Sequence, residues 1–396
     1  MHVLIVEDVL TGHHSGYLAR IASRYLTSGH IVTITVRKEF ATHQSIVELE
    51  QHFSGALRVV SFTAMGSSRG LLRSFGKIGR EIAFRNLVAD TVRRIHAINP
   101  VDYVFLPYLD YCLYAVALLG SPFGSVSWGG ICMRPSFHYQ SLGVIAPRPN
   151  LGKVKRALFL KLLRSPSLKH LYTIDSLLFD YINVNYPRVS SRLEYAPDPA
   201  ELTGSHTWKS ARQTLGISDE SVVILVYGTI DERKGIDTLI EALNHADSPK
   251  SIYLLVAGRQ SPELRQLLSS FRNASTTEAE IRCKTIDAFI DSATEQQLFA
   301  AADAIWMGYR AHYNMSGVLM LSVAAKKPVI ATEAGLIGWF TNKWQIGCTF
   351  REGDSDAVHR ILKIICDKSV REEFAGKFLN LNLDHSWAAF LRAVVK

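Results

Sequence analysis

What most constrains this chain is a strand–helix rhythm that occurs twice. "HVLIVED" is a short β-branched run. In "TGHHSGYLARIASRYLTSGH", directly after it, Tyr17, Leu18, Ile21, Tyr25 and Leu26 recur at the spacing of a helix face. "HIVTITV", "ALRVVSF", "VDYVFLP", "FGSVSW", "HLYTID" and "RLEYAP" continue the series as strands, with the helical stretch "SLLFDYINVNY" between the last two. Strands that alternate with helices build βαβ units, and these close into a parallel sheet. "APDPAELTGSHTWKSARQTLGISDES" interrupts the rhythm; it is polar, holds Pro197 and Pro199, and reads as a linker plus a first helix. Then "SVVILVYG", "SIYLLVAG", "AIWMG" and "KPVIAT" resume it.

An α/β chain of two Rossmann-like domains follows, which suits a length of 396 residues. The expected boundaries are 1–196 for the first domain, 197–377 for the second, and 378–396 for a terminal helix that crosses back to the first. Five cysteines, Cys112, Cys132, Cys283, Cys348 and Cys366, are scattered without CxxC spacing, so reduced thiols in the cytoplasm are expected. "MHVLIVEDVL" carries Glu7 and Asp8 and lacks a basic leader, so no signal peptide is expected. No apolar run reaches the roughly 18 residues of a membrane span. The formal charge of +8 admits an anionic partner: nucleotide, membrane surface or nucleic acid.

Open parallel sheets bind ligands at the carboxyl ends of their strands, so the informative residues follow each strand. In "YGTIDERKGIDTLIEAL", Gly228 permits a tight exit from a strand, and Ile236, Leu239, Ile240 and Leu243 form a helix face. Arg233 and Lys234 stand between them. A guanidinium grips phosphate oxygens bidentately and an ammonium adds a point charge; the alternative is a solvated surface pair. In "HYNMSGVLMLSVAAKKPVIATEAGLIG", Ser316 is a natural N-cap and Gly317 opens a helix whose free N–H groups favour an anion. Gly335 and Gly338 read as a mobile loop.

The ordered set "GTIDERKGIDTLIEAL", "YLLVAG", "SGVLMLSVAAKKPVIAT" and "DHSWAAFLRAVV" resembles the donor half of a GT-B fold glycosyltransferase, nearest to family 4, the group 1 glycosyl transferases. The likeness covers nearly the whole chain, and it implies two Rossmann-like domains facing a central cleft. It assigns donor diphosphate binding to Arg233, Lys234, Ser316 and Gly317. It also implies metal-independent, retaining transfer with no cofactor. Two departures stand out. Thr229 occupies the place of the family's usual arginine. Tyr313 and Leu321 occupy the places of its paired glutamates, and Leu321 accepts no hydrogen bond from a ribose. A subgroup with an "RKG" turn, an "SGV" helix start and an "RPSFHY" segment is nearer.

The first half is expected to hold the acceptor. Gly12, His13 and His14 follow the first strand, and Arg134 and His138 follow the fifth. Imidazole can give or take a proton near neutrality, which makes His14 and His138 the catalytic candidates, with Gly12, His13 and Arg134 lining the acceptor side. For each histidine the alternative is a hydrogen-bonded loop residue. Asp354 and Asp356 imitate a metal-binding DxD, but the stretch precedes a helix, where Ser355 or Asp354 reads as a plain cap, and no metal site is expected. "SSRGLLRSFGKIGREIAF" aligns Arg69, Arg73, Lys77 and Arg80 on one stripe, and "KVKRALFLKLLR" aligns Lys153, Arg156, Lys161 and Arg164. Both suggest peripheral docking on the anionic inner face of a membrane. The partners expected are a nucleotide diphosphate sugar and a glycan or lipid-linked acceptor from bacterial surface polysaccharide assembly. Nucleic acid is not expected, since no zinc finger or aromatic-basic platform is present, and no strand runs into GxGxxG. A non-catalytic GT-B partner subunit and a sugar-nucleotide hydrolase or 2-epimerase are the rival readings.

Overall fold

The computed structural model describes residues 1–12, 14–62, 76–202, 204, 206–273, 283–381 and 384–395. The chain divides into two compact units. The first comprises Met1–His138, Arg148–Pro197 and Ala388–Lys396, and the second comprises Tyr139–Pro147 and Asp198–Trp387.

The first unit is built on seven parallel strands: β1 (His2–Val6), β2 (Ile31–Val36), β3 (Leu57–Ser61), β4 (Tyr103–Leu106), β5 (Ser127–Cys132), β6 (Leu168–Thr173) and β7 (Leu193–Tyr195). They are ordered β3-β2-β1-β4-β5-β6-β7, so the order reverses at the edge of β1, beside β4. Val3, Leu4 and Ile5 are fully buried, as a strand covered by helices on both faces requires. The helix His14–Thr27 follows β1 and buries Tyr17, Leu18, Ile21, Tyr25 and Leu26, the set its periodicity selects. Phe390, from the terminal helix Trp387–Val394, meets Tyr17 edge-on at 5.1 Å between ring centroids.

The second unit repeats the plan with β8 (Val222–Tyr227), β9 (Ile252–Ala257), β10 (Cys283–Ile286), β11 (Ala304–Met307), β12 (Val329–Thr332) and β13 (Gly347–Phe350), ordered β10-β9-β8-β11-β12-β13. Its sheet separates two cores. Val223 and Leu225 belong to one, Ile224 and Val226 to the other.

Three sequence expectations need correction. The fifth strand is Ser127–Cys132, four residues beyond "FGSVSW". Gly129 and Gly130 disguised it: a Cβ on Gly129 would lie 2.8 Å from the His170 carbonyl oxygen, and one on Gly130 would lie 2.8 Å from that of Leu106. The strand needs glycine for neighbouring elements to close on it. Second, β10 and β13 are additional strands; each is four residues long and carries few fully buried positions. Third, Gly335 and Gly338 sit in the helix Gly335–Trp344 and not in a loop. A Cβ on Gly335 would approach the Tyr313 Cα to 2.5 Å, so this helix start is pressed against the chain that follows β11.

Among the described residues no helix is long and apolar enough to cross a membrane.

Candidate functional site

In the second unit the chain leaving β8 folds into a single 3₁₀ turn, Glu232–Lys234, before the helix Ile236–Leu243. The join is Gly235, at φ +59°, where an added Cβ would lie 2.1 Å from the Gly308 carbonyl oxygen. Both the left-handed backbone and the close approach demand glycine. Lys234 is pulled inward by this turn and is buried. Its Nζ donates to the Tyr227 carbonyl oxygen at 2.6 Å and to Tyr309 Oη at 2.7 Å. Trp306 Nε1 donates to its carbonyl oxygen at 2.8 Å. An ammonium has three N–H donors, so one is left for a further acceptor. Arg233, beside it, is half exposed and reaches Asp231 at 3.5 Å.

The chain following β11 lies against this turn. Arg310 N donates to the Arg233 carbonyl oxygen at 2.8 Å, and the Arg310 guanidinium pairs with Asp237. Glu352 accepts from Ala311 N at 3.0 Å. His312 packs edge-on against Tyr309, with Nε2 3.4 Å from the Met315 carbonyl oxygen. Burial, then the positive charges of Arg233 and Lys234, hold its pKa below the ordinary histidine value. The segment ends at Ser316, whose side chain accepts from Val318 N at 3.3 Å and caps the helix Gly317–Ala325. A Cβ on Gly317 would meet nothing within 4 Å. Thus Arg233, Lys234, Tyr309, Arg310, His312 and the Ser316–Gly317 helix start belong to two adjoining loops at the carboxyl ends of paired strands β8 and β11. Tyr309, Arg310 and His312 were not singled out in the sequence, although the rule of looking after each strand would have found them in "GYRAH". Leu321 packs against the core of the unit.

The first unit offers a different chemistry. Glu7, the residue after β1, is buried; its Oε1 accepts from Asp8 N at 3.0 Å and lies 3.3 Å from His14 Nδ1. Burial raises the Glu7 pKa, and His14 works against that rise. The His14 ring packs on Tyr108 at 4.5 Å between centroids, and the exposed Arg134 guanidinium lies 5.1 Å from the same Tyr108 ring. Asp110, below Tyr108 in the chain, accepts from Met133 N at 2.8 Å and Arg134 N at 3.0 Å and so fixes the exit from β5. His14 and Arg134 are therefore brought together around one tyrosine. Glu7 was passed over in the sequence, where it was weighed only against a leader peptide. Gly12 is exposed at φ +62°, and His13 lies outside the described residues.

His138, the second catalytic candidate of the sequence, stands in different surroundings. It is fully buried, its Nε2 is 3.0 Å from Asp175 Oδ2, and the rings of Phe137 and Tyr181 flank it. The same Asp175 caps the helix Ser176–Asn185 by accepting from Leu177 N and Leu178 N. Asp354, too, is a cap: it accepts from Ala357 N at 2.8 Å.

Residues 221–367 match the model of the glycosyl transferases group 1 family. Over 99% of its length the chain superposes on sucrose-phosphate synthase from Thermosynechococcus elongatus, covering 96% of that protein, at a TM-score of 0.67 and 15% identity. Over 100% it superposes on HepE from Anabaena, covering 97% of that chain, at 0.64 and 17%; that protein was solved with UDP and, separately, with UDP-glucose. The whole chain thus shares the GT-B fold of these solved structures, and residues 221–367 are similar to the group 1 glycosyl transferases. Among curated relatives, the chain is 25% identical over 167 residues to the lipopolysaccharide core biosynthesis glycosyltransferase LpsE of Rhizobium meliloti. That alignment covers 42% of the chain and 46% of LpsE, so the chain spans about half the length of the curated relative it matches.

Proposed function

We propose that the protein transfers a sugar from a nucleotide diphosphate sugar to an acceptor hydroxyl. The observation that carries this reading is Lys234. It is a buried ammonium aimed by Tyr227 and Tyr309 at the carboxyl end of β8, beside a half-exposed arginine and a capped helix start. When the sugar–phosphate bond breaks, negative charge grows on the departing diphosphate. Cations and N–H dipoles already in place stabilise that charge without reorganising. Arg233, Lys234 and the N–H groups at Ser316–Gly317 are assigned this role.

His14 is assigned to the acceptor or the sugar, with Glu7 on its Nδ1 setting the ring's orientation, and Arg134 and Gly12 beside it. His138, enclosed and paired with Asp175, is assigned to holding the chain that follows β5 and not to contact with substrate. With Leu321 unable to bind a ribose, carboxylates near the same loops, Glu352 and Glu333, are the nearest replacements.

The setting we assign is bacterial surface polysaccharide or lipid-linked glycan assembly, which the likeness to LpsE supports. The decisive experiment is a thermal-shift screen of UDP, GDP, ADP, TDP and CMP, followed by product analysis of the matching sugar nucleotide with and without acceptor glycans. A ligand that binds only the folded chain raises its melting temperature. One nucleoside diphosphate should stand out, and a flat response to all five would reject the reading. Turnover without acceptor would instead point to hydrolysis or epimerisation.

A membrane-facing side is proposed for the helix Gly152–Leu163. Leu151 and Val154 are exposed beside the exposed Lys153, Lys161 and Arg164. Of the other basic segment, Lys77 and Arg80 are exposed on the helix Gly76–Ile98, while Arg69 and Arg73 lie outside the described residues. Basic residues at an anionic leaflet contribute about 1 kcal/mol each. Vesicles containing anionic lipid should therefore retain the protein at low salt and release it at high salt. No retention at low salt would reject the docking face.

A further inference from the structure

One cluster in the second unit plays no part in sugar transfer as described. His245 and Asp247 follow the C-terminal end of the helix Ile236–Leu243, and His359 projects from the helix Ser355–Cys366, which packs on it. One ligand atom from each residue can be chosen so that all three lie within 4.8 Å of one another. Around zinc, with bonds of about 2.0–2.1 Å, tetrahedral ligand atoms lie about 3.4 Å apart, so a small contraction would close the set. The two imidazoles stack at 4.4 Å between centroids and 16° between planes.

His359 gives the strongest indication. Its Nδ1 lies 3.3 Å from the Ala242 carbonyl oxygen. A carbonyl only accepts, so this contact makes Nδ1 the protonated nitrogen, the arrangement that turns Nε2 into a metal ligand. Nε2 is buried and makes no hydrogen bond, although Asp247 Oδ1 stands 3.0 Å away. With Nδ1 protonated, Nε2 facing a carboxylate oxygen at that distance calls for positive charge between them, either a second ring proton or a metal cation. Asp247 Oδ2 is occupied by Lys363, which leaves Oδ1 directed at the histidine. His245 Nε2 lies 3.6 Å from Asp356 Oδ1, which brings a second carboxylate to the rim.

We propose that His245, Asp247 and His359 form a binding site for one divalent transition-metal cation of the zinc type. Two imidazoles and one carboxylate suit such an ion and not magnesium, which prefers oxygen and retains its water. The helix Ile236–Leu243 begins at the Lys234–Gly235 turn and ends at this cluster. At 1.5 Å per residue its eight residues set the two sites about 12 Å apart. The metal would thus tie the two helices together without touching the diphosphate loops, and its binding is independent of the sugar-transfer reading.

The test uses the untagged full chain, stripped with chelator. Isothermal titration with zinc chloride should show one zinc per chain, with no heat from magnesium chloride. Zinc should also raise the melting temperature of the chain. Cobalt(II) should give visible d–d bands. His245→Ala and Asp247→Asn, both at accessible positions, should each weaken zinc affinity at least tenfold and remove the cobalt bands. Affinity should fall as the pH is lowered, because protons compete with the metal for its ligands. Absence of zinc binding at neutral pH would overturn the proposal. So would equal affinity in both variants, which would place the ion elsewhere, for example on cysteine.

Discussion

The two units share a strand order that turns back at a central strand, yet the loops leaving those strands are equipped in opposite ways. After β1 in the first unit come Glu7 and His14, a buried carboxyl facing an imidazole. After β8 in the second come Arg233 and Lys234, reinforced after β11 by Arg310. Burial raises the Glu7 pKa, so its environment resists negative charge. The His312 pKa is lowered, first by burial and then by the positive charges of Arg233 and Lys234. One fold plan thus carries a buried carboxyl beside an imidazole in one unit and a group of cations in the other.

The largest expected effect would test the first half of that contrast. His14→Ala should lower turnover about 10²- to 10⁴-fold, the usual worth of a positioned acid–base group, while nucleotide affinity measured by calorimetry stays unchanged. A matched loss in both quantities would erase the distinction between the units. His138→Gln sharpens the same point from the other side. It breaks a buried pair with Asp175 and should cost about 3–5 kcal/mol in denaturant unfolding. A soluble, equally stable variant would show that the pairing does not support the unit.

Lys234→Ala addresses the second half. Losing a charge-assisted contact to phosphate should cost about 1.5–3 kcal/mol of nucleoside diphosphate affinity, or roughly ten- to hundredfold in Kd. Wild-type affinity in this variant would remove the turn from the donor site. The smallest effect is a pH signature. A histidine whose pKa is depressed in the folded chain stays neutral there, while the unfolded chain takes up a proton below about pH 6.5. Stability from this group is therefore full above that value and is lost as pH falls below it. A bound diphosphate would offset the cations that depress His312 and favour its protonation. Nucleotide binding near pH 6 should then be accompanied by proton uptake, seen as a buffer-dependent heat, and His312→Gln should abolish it. Equal heats in two buffers for the wild-type chain would detach His312 from the diphosphate.

Much of this plan was legible in the sequence because it was written in hydrophobic period. The first four strands, the helix after β1 and the RKG turn all lie where alternation and spacing put them. What stayed hidden depended on contacts between distant segments. Nothing local to "SWGGIC" tells that its glycines make room for Tyr103 and the backbone of β6, so the strand looked like a loop. Gly335 has no room for a Cβ because the chain at Tyr313 lies against it, another long-range constraint. His14 and His138 looked alike in sequence, each a histidine following a strand. Both are buried, and it is the complete enclosure of one ring between Phe137 and Tyr181 that separates them. Tyr309 and His312 follow β11 and are readable by the same rule that points to Lys234.

The seating of Lys234 has a consequence for when binding becomes possible. A lysine free in solution gives up about 1.5–2 kcal/mol of rotamer entropy when it is immobilised. Here folding has already immobilised it between Tyr227 and Tyr309, so the arriving phosphate meets a side chain with little freedom left to lose. The three supports come from β8, from β11 and from the loop behind β11. An unfolded or half-folded chain, a peptide spanning the RKG turn, or a fragment lacking β11 would present the same residues as a floppy surface cation. The proposed recognition of the diphosphate is in this sense a late property of the chain, acquired at the moment the centre of the second sheet closes.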